Sequence, residues 1–254
     1  MLTLFSLAGQ VALVTGGGQG NGRSIAIGLA GAGASVAILD RVEGTAVAVA
    51  DEIRKTGGKA VALTADITRQ RDCDIACADA RRQLGPISIL VNNAGVNRRG
   101  QVEDADAIEK WRETFAVNVD GQFYMVRAAL KDLMETRGTI INVGSIQSFV
   151  APLNTSTAYT ASKNAILGMT KALAAELAPA GIRVNGIAPG MFETPMTAPT
   201  RANPEKMAAL HRHIPMKRIG QPDELMGVAI FLASQASRYV TGAMIPVDGG
   251  YLAI

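Results

Sequence analysis

Apolar residues cluster in seven short runs along the chain, and β-branched residues recur within them. Because the runs are continuously apolar, they predict strands that are covered on both faces. Stretches with helical spacing lie between them. The predicted strands are Val11–Thr15, Ser35–Leu39, Ala60–Leu63, Ile87–Val91, Thr139–Val143, Arg183–Ile187 and Ala243–Val247. The predicted helices are Ser24–Ala32, Val42–Lys55, Arg69–Leu84, Ala105–Arg137, Ala158–Ala178 and Pro222–Ala233.

The alternation of strands and helices indicates an α/β fold, a doubly wound parallel sheet with helices on both faces. No repeat or change in composition marks a linker, so we expect a single domain over residues 1–254. The alternation lapses at residues 191–214, where Pro195, Pro199 and Pro204 predict a long irregular loop. Loops of this length usually serve function, so we expect a lid on the substrate side.

Composition and charge narrow the class of protein. Of the residues, 48% are hydrophobic and 19% are charged, which is typical of a globular protein. The net charge of +3 comes without a run of five or more basic residues, so nucleic acid is not an expected partner. The chain has no apolar stretch of about 18 residues and no basic residue ahead of an apolar run at residues 1–7, so a cytoplasmic protein is expected.

The two cysteines, Cys73 and Cys77, lie four positions apart in a predicted helix. A structural zinc site needs four ligands, and no others accompany this pair. His211 and His213 alternate along the chain but also lack a third ligand. We therefore expect reduced thiols and no metal site.

A glycine-rich turn follows the first predicted strand and leads directly into a helical stretch. It contains Gly16, Gly20 and Gly22 after Thr15. Glycines let the backbone approach a pyrophosphate, and the free N–H groups and positive dipole end of the helix attract it. Because the strand before and the helix after supply the required context, we expect a dinucleotide site here.

Asp40 closes the second predicted strand, at about the position where a carboxylate accepts hydrogen bonds from an adenosine ribose. A carboxylate close to a 2′-phosphate opposes binding by on the order of several kcal/mol, so NAD is expected over NADP. Arg41 complicates this expectation, because a guanidinium could pair with that phosphate. The strand-end position makes Asp40 the better discriminator.

Polar and small residues also follow the third and fourth predicted strands. Asp66 could accept from the adenine amino group, or it could hold the start of a helix. The run Asn92-Asn93-Ala94-Gly95 lies at the carboxyl edge of the sheet, where ligands bind in open α/β folds. Both segments are expected to border the cofactor.

Tyr159 and Lys163 stand four residues apart in a predicted helix, so their side chains share one face. Lowering the pKa of a tyrosine from about 10 by about three units requires about 4 kcal/mol. A cation about 4 Å away, at an effective dielectric near 20, is worth about that much. Lys163 together with an oxidised nicotinamide ring would therefore suffice to lower the pKa of Tyr159 to the neutral range. Ser145 follows the fifth strand and could donate to a substrate oxygen where charge develops.

The chain thus resembles the classical short-chain dehydrogenase/reductase family. The matching motifs are Thr15-Gly16-x-x-x-Gly20-x-Gly22, Asn92-Asn93-Ala94-Gly95, Ser145, Tyr159-x-x-x-Lys163 and Pro189-Gly190, in the family's order. The resemblance implies a Rossmann-like seven-stranded sheet and a homotetramer. It also implies hydride transfer between nicotinamide and a secondary alcohol or ketone, with Tyr159 exchanging the hydroxyl proton.

The resemblance also implies roles for individual residues. Asn118 would be a fourth catalytic residue beside Ser145, Tyr159 and Lys163, holding a water that relays protons to Lys163. Lys163 would also hold the ribose hydroxyls, and Thr194 would contact the carboxamide or the pyrophosphate. The residues expected at the cofactor are Thr15, Gly16, Gly20, Asn21, Gly22, Asp40, Arg41, Asp66, Ile67, Asn93, Ala94, Gly95, Tyr159, Lys163, Pro189, Gly190 and Thr194.

One residue departs from the family pattern. Asn21 stands between Gly20 and Gly22, where the family usually has an apolar residue. Asn tolerates left-handed and turn conformations, so the loop is expected to keep its shape.

Beyond these motifs the chain resembles the sugar-acid branch that includes gluconate 5-dehydrogenase and 2-deoxygluconate 3-dehydrogenase. The similarities are Leu4-Phe5-Ser6-Leu7, Arg98-Arg99, Ile214-Pro215 with Arg218 and Gly220, and the closing run Val247 to Ala253. A sugar acid, polyol or ketose is therefore the expected substrate. Related polyol dehydrogenases share several of these features.

Several side chains could contact such a substrate besides Ser145 and Tyr159. Cationic groups could face a carboxylate, and amides could bond hydroxyls. The cations are Arg98, Arg201, His211, Arg212 and His213, and the amides are Gln147 and Asn154. Two alternatives stay open: an NADPH-dependent 3-oxoacyl thioester reductase, which Asp40 disfavours, and a non-catalytic dinucleotide-binding protein, which the intact Ser145, Tyr159 and Lys163 disfavour.

Overall fold

A seven-stranded parallel sheet forms the centre of this computed structural model, which describes residues 2–152 and 156–254. The strands are β1 Val11–Thr15, β2 Ser35–Asp40, β3 Ala60–Thr64, β4 Ile89–Asn92, β5 Thr139–Val143, β6 Arg183–Pro189 and β7 Met244–Val247. Their order is β3-β2-β1-β4-β5-β6-β7, so the winding reverses between β1 and β4. This reversal opens a crevice at the carboxyl ends of those two strands.

Helices cover both faces of the sheet. They are α1 Gly20–Gly31, α2 Glu43–Lys55, α3 Gln70–Leu84, α4 Ala107–Phe115, α5 Gly121–Thr136, α6 Thr157–Leu177, α7 Ala198–Arg201, α8 Pro204–His213 and α9 Met226–Ala233. The predicted seven-stranded, doubly wound α/β fold is confirmed. No helix in the described ranges is long and apolar enough to cross a membrane.

The sheet separates two apolar cores. Val14, Val36 and Ile38 pack on one face with α1, α2 and α9. Leu13 and Leu39 point to the other face, toward α3, α5 and α6. Neighbouring positions on a strand point to opposite faces, so strands buried on both sides must be apolar at every position. This is why the sequence shows continuous apolar runs.

The single long helix predicted over Ala105–Arg137 is interrupted. Helix α4 is followed by a π-helical turn at Ala116–Asp120, and α5 begins only at Gly121. A π turn inserts a wider loop of backbone without breaking the helical path, so apolar spacing does not reveal it. The turn carries Asn118.

The expectation of an irregular loop over residues 191–214 is wrong. This segment contains a 3-10 turn at Pro195–Thr197 and the helices α7 and α8. Its prolines lie in the first turns, where the missing N–H breaks no intrahelical bond. Asn203 caps α8, because its Oδ1 accepts from the backbone N–H of Lys206 at 2.9 Å.

Asp132 generates a prediction about stability. Its buried carboxylate accepts from the backbone N–H of Ile87 at 3.0 Å and from Arg81. Asp132→Ala leaves that buried N–H without a partner, which costs about 2 kcal/mol. We expect the melting temperature to fall by about 4–8 °C.

Glu135→Ala is the matched control, because Glu135 bonds the same Arg81 while its side chain is 49% exposed. Exposed ion pairs contribute little, so this variant should melt within about 2 °C of wild type. Equal losses for the two variants would contradict the assignment to the Ile87 N–H. Thermal unfolding followed by circular dichroism measures both.

Candidate active site

A long cleft opens at the carboxyl ends of the strands, where the winding reverses. Most residues predicted for the cofactor and the chemistry line it. These are Gly16, Gly20, Asn21, Gly22, Asp40, Arg41, Asp66, Ile67, Asn93, Ala94, Gly95, Ser145, Tyr159, Lys163, Pro189, Gly190 and Thr194. Residues far apart in the chain therefore meet in one site because each follows a strand or begins a helix.

The glycine-rich turn forms one wall of this cleft. Gly16 and Gly20 have φ of +60° and +52°, in the left-handed region that favours glycine. A Cβ on Gly22 would overlap the carbonyl oxygen of Gly16 and Nδ2 of Asn93. The first turn of α1 follows at once, and its N-cap residue Gln19 makes no side-chain capping bond. The turn is therefore a backbone cradle with N–H groups left for an anion.

Thr15 lies behind this cradle, fully buried, rather than in the cleft. Its Oγ1 accepts from the N–H groups of Asn93 and Ala94, both at 3.0 Å. Nδ2 of Asn93 in turn donates to the carbonyl oxygens of Thr15 at 2.9 Å and Gly16 at 3.1 Å. These bonds join the ends of β1 and β4, so Thr15 acts here by holding the cleft walls together.

Asp40 and Asp66 stand at one end of the cleft. Asp40 Oδ2 accepts from Gly18 N at 3.0 Å and its Oδ1 accepts from Val42 N at 3.1 Å, so backbone groups hold this carboxylate in place. Asp66 Oδ1 accepts both the N–H and the hydroxyl of Thr68. Burial alone would raise the pKa of Asp66, but these bonds and nearby arginines outweigh it and lower the pKa. Asp66 is thus held as a carboxylate.

Tyr159, Lys163 and Ser145 meet at the other end. Lys163 is buried, and its Nζ donates to the carbonyl oxygen of Val143 at 2.8 Å and lies 5.6 Å from the centroid of the Tyr159 ring. Ser145 lies close enough to the Tyr159 phenol to lower its pKa. The helical spacing and the strand end therefore bring the three predicted groups together.

Burial dominates the electrostatics of this end of the cleft. Burial raises the pKa of Tyr159 to about 12, and the bond with Ser145 only partly opposes that. Burial also lowers the pKa of Lys163 to about 8. The protein alone therefore keeps the phenol protonated, because desolvation outweighs the interaction with Ser145.

Asn118 lies fully buried behind the reactive end. Its Oδ1 accepts from Val96 N at 2.8 Å, and its Nδ2 donates to Val96 O at 2.9 Å and to Ser162 Oγ at 3.0 Å. Both protons of the side-chain amide are thus used within the protein. The side chain holds the segment after β4 against α6.

Other predicted contact residues are not among those lining the cleft. Arg98 forms an ion pair with Glu113 at 2.6 Å and borders a second, separate pocket. Gln147 accepts from the Thr160 hydroxyl through its Oε1 at 2.7 Å. Asn154 lies outside the described residues. Sequence order placed these groups near the strand ends but carried no information on where their side chains point.

The same is true of the cations near residues 191–214. Arg201 pairs with Glu193 at 2.8 Å, and the ring of His213 contacts Tyr251 with centroids 4.2 Å apart. Neither they nor His211 and Arg212 are among the residues lining the cleft.

Some lining residues were missed. They are Gln19, Leu39, Ala65, Val96, Val117, Val143, Gly144, Phe192, Pro195, Met196 and Thr197. Most are apolar or small, so no chemical signal marks them. Their position one or two residues from a predicted strand end or motif was the available clue.

The site residues fit a nicotinamide dinucleotide. The glycine-rich turn has no room for a side chain at Gly22. The Asp40 carboxylate lies at one end of the cleft, and Tyr159 and Lys163 lie at the other. Fold and site thus define a dinucleotide-dependent oxidoreductase of the Rossmann-like class.

Comparisons with known proteins agree. A family model described as enoyl-(acyl carrier protein) reductase matches residues 16–252. The 5-keto-D-gluconate 5-reductase of Escherichia coli is 38% identical over 99% of each chain. Galactitol 2-dehydrogenase (L-tagatose-forming) of Cereibacter sphaeroides is 41% identical over 98% of this chain and 97% of its own. The chain belongs to the short-chain dehydrogenase/reductase family, as its motifs predicted.

Solved structures of relatives have the same fold. The crystal structure of a gluconate 5-dehydrogenase from Burkholderia cenocepacia, in complex with NADP and tartrate, superposes with a TM-score of 0.94. Its sequence is 38% identical, over 100% of this chain and 99% of its own. The protein is an oxidoreductase of a family that binds nicotinamide dinucleotides.

Gly22 generates a prediction about the cradle. Gly22→Ala forces Gly16 or Asn93 to move, and such a misfit costs about 1–3 kcal/mol. We expect NADH affinity to fall by about 5- to 150-fold, measured by fluorescence titration.

Gly31→Ala provides the control, because Gly31 lies at the end of the same helix and a Cβ there meets no described atom within 4 Å. This variant should bind NADH as wild type does. Unchanged binding by folded Gly22→Ala would disprove the close-approach argument.

Proposed function

We propose that the protein is an NAD-dependent dehydrogenase or ketone reductase acting on a secondary alcohol or ketone of a sugar acid, polyol or ketose. The observation that carries the proposal is the convergence of Ser145, Tyr159 and Lys163 at one end of the cleft that holds the glycine cradle at its middle. Names of the relatives, sugar-acid and polyol enzymes, support the substrate class.

A nicotinamide held in this cleft would supply or accept the hydride at the substrate carbon. Tyr159 gives or takes the proton of the substrate oxygen, and Ser145 donates a hydrogen bond to that oxygen. The raised pKa of Tyr159 keeps it a proton donor for carbonyl reduction. Alcohol oxidation needs the phenolate, which the positive charge of an oxidised cofactor and of Lys163 would stabilise.

Lys163 and Asn118 complete the proposed proton path. Lys163 would hold the ribose hydroxyls and pass protons to a water held at Asn118. Because the Asn118 amide protons are used by Val96 and Ser162, its main-chain carbonyl in the π-helical turn is the group proposed to hold that water.

The remaining cofactor residues have proposed places along the same cleft. Asp40 would accept from the adenosine ribose, and Asp66 with Ile67 would border the adenine. The residues Asn93, Ala94 and Gly95 would face the nicotinamide ribose side, with Pro189, Gly190 and Thr194 at the carboxamide. Thr15 would act indirectly, through the bonds that hold the cradle.

Preference for NAD rests on Asp40, whose carboxylate is held by two backbone N–H groups and would face a 2′-phosphate. The gluconate 5-dehydrogenase neighbour was solved with NADP. Arg41 is exposed and lines the same end of the cleft, so it is the group through which NADP would be tolerated.

Ser145 and Tyr159 are the proposed substrate contacts. Gln147, beside Ser145 in the chain, and Asn154 are further proposed contacts. Arg98 would have to leave Glu113 to reach a carboxylate. Residues 191–214 are proposed to cover the substrate as a helical lid.

We propose a cytoplasmic homotetramer. Apolar side chains remain exposed on neighbouring helices, with Ile108 at 65% and Trp111 at 40% on α4 and Phe123 at 44% on α5, as at a subunit interface. Cys73 and Cys77 are free, and burial raises the pKa of each to about 12, so both suit a reducing compartment as inert thiols.

Tyr159→Phe tests the chemistry. We expect it to bind NADH normally but to lose about 10²- to 10⁴-fold in kcat, because only the proton-transfer group is removed. Turnover is measured with NAD and NADP against polyols, sugar acids, ketoses and 3-oxoacyl thioesters. Tyr239→Phe, at a fully exposed tyrosine, is the matched control and should keep full activity.

Near-normal turnover by Tyr159→Phe would overturn the mechanism. Wild-type activity confined to 3-oxoacyl thioesters with NADPH would favour the alternative reductase. Normal NAD binding without turnover of any substrate would favour a non-catalytic protein.

Asp40→Asn tests cofactor selection, because it removes the charge and keeps the shape. We expect the ratio of kcat/KM for NADP over that for NAD to rise about tenfold or more. Arg41→Ala should change the same ratio in the opposite direction. An unchanged ratio in Asp40→Asn would show that Asp40 is not the discriminator.

A further inference from the structure

Asn21 is not a turn residue, although its ability to adopt turn conformations was the expected reason for its presence. It is the second residue of α1, and its φ is not among the positive ones. Asparagine is a weak helix former. Backbone conformation therefore does not explain why an amide stands between Gly20 and Gly22.

The Asn21 side chain carries an unmet hydrogen-bonding requirement. Its Oδ1 is enclosed by protein and has no donor within the part of the chain that the structure describes. A buried polar atom without a partner destabilises the folded protein, and such atoms are rare. An apolar side chain of similar size would avoid this cost, so the amide needs another explanation.

The position of Asn21 along the cleft indicates which part of a dinucleotide it would meet. The glycine-rich turn starts at the adenosine end, where Gly18 N donates to Asp40 at 3.0 Å. It ends at the lid side, where a Cβ on Gly20 would lie 3.3 Å from the side chain of Thr194. Asn21 follows Gly20 and lines the cleft. With a dinucleotide in the proposed orientation, Asn21 would therefore lie on the nicotinamide side of the pyrophosphate.

We propose that the Asn21 amide recognises the carboxamide of the nicotinamide. The two amides are complementary, since each offers an N–H donor and a carbonyl acceptor. The terminal torsion of asparagine is soft, so Oδ1 can turn from its enclosed position toward an incoming donor. The inference rests on the proposed function, because it requires a nicotinamide dinucleotide in this cleft.

The test compares NADH with ADP-ribose, which lacks the nicotinamide ring. For Asn21→Leu we expect NADH affinity to fall about three- to tenfold, with ADP-ribose affinity unchanged. The free variant should melt about 2–4 °C higher than wild type, because the unpartnered acceptor is gone. Its melting temperature should rise less than that of wild type when NADH is added. Calorimetry and thermal unfolding give both readouts.

Asn97→Leu is the matched control. Asn97 Oδ1 is also enclosed and has no partner among the residues that the structure describes, but Asn97 is not among the residues lining the cleft. This variant should also melt higher while keeping the wild-type ratio of NADH to ADP-ribose affinity. If leucine at position 21 impairs folding, Asn21→Ala supplies the same comparison with a smaller side chain.

Equal losses for NADH and ADP-ribose, or no loss for either, would overturn the role of Asn21 in carboxamide recognition. Failure of the wild-type protein to bind either ligand would instead overturn the proposed function. The two failures are distinguishable because the first is seen only in the variants.

Discussion

The close approach of β1 and β4 at their carboxyl ends is the constraint on which the site depends. Thr15 and Asn93 bond across the gap, and Gly22 leaves no room for a side chain beside Gly16. The strand order reverses at this place, so helices leave the sheet on opposite sides and the crevice stays open. This junction positions the glycine-rich turn, the end of the cleft with Asp40 and the end with Tyr159 and Lys163.

Burial determines the chemistry available at the reactive end. Desolvation raises the pKa of Tyr159 and lowers that of Lys163, so each neutral form is favoured. By itself Tyr159 therefore stays a protonated phenol, while a pKa of about 8 still leaves Lys163 mostly an ammonium at neutral pH. Proton transfer is thereby coupled to the charge of the cofactor, because an added positive charge lowers the pKa of both Tyr159 and Lys163.

Much of the site could be predicted because its signals are local. Gly16, Gly20 and Gly22 mark a tight turn, Asp40 ends a strand, and Tyr159 with Lys163 share a helix face. The misses have one physical origin, since side-chain direction and backbone hydrogen bonding depend on neighbours distant in the chain. Arg98 turns to Glu113, and the prolines of residues 191–214 start helices where they were expected to break them.

The sequence by itself determined the class of fold, the order of strands and helices along the chain, and the residue types that carry the chemistry. These follow from hydrophobic periodicity and from glycine and proline geometry, which act over a few residues. Only the tertiary structure decided the π turn at Asn118, the pKa directions at Tyr159 and Lys163, and the enclosed Oδ1 of Asn21. Each of these depends on desolvation and on partners brought together from separate elements, and no local pattern records them.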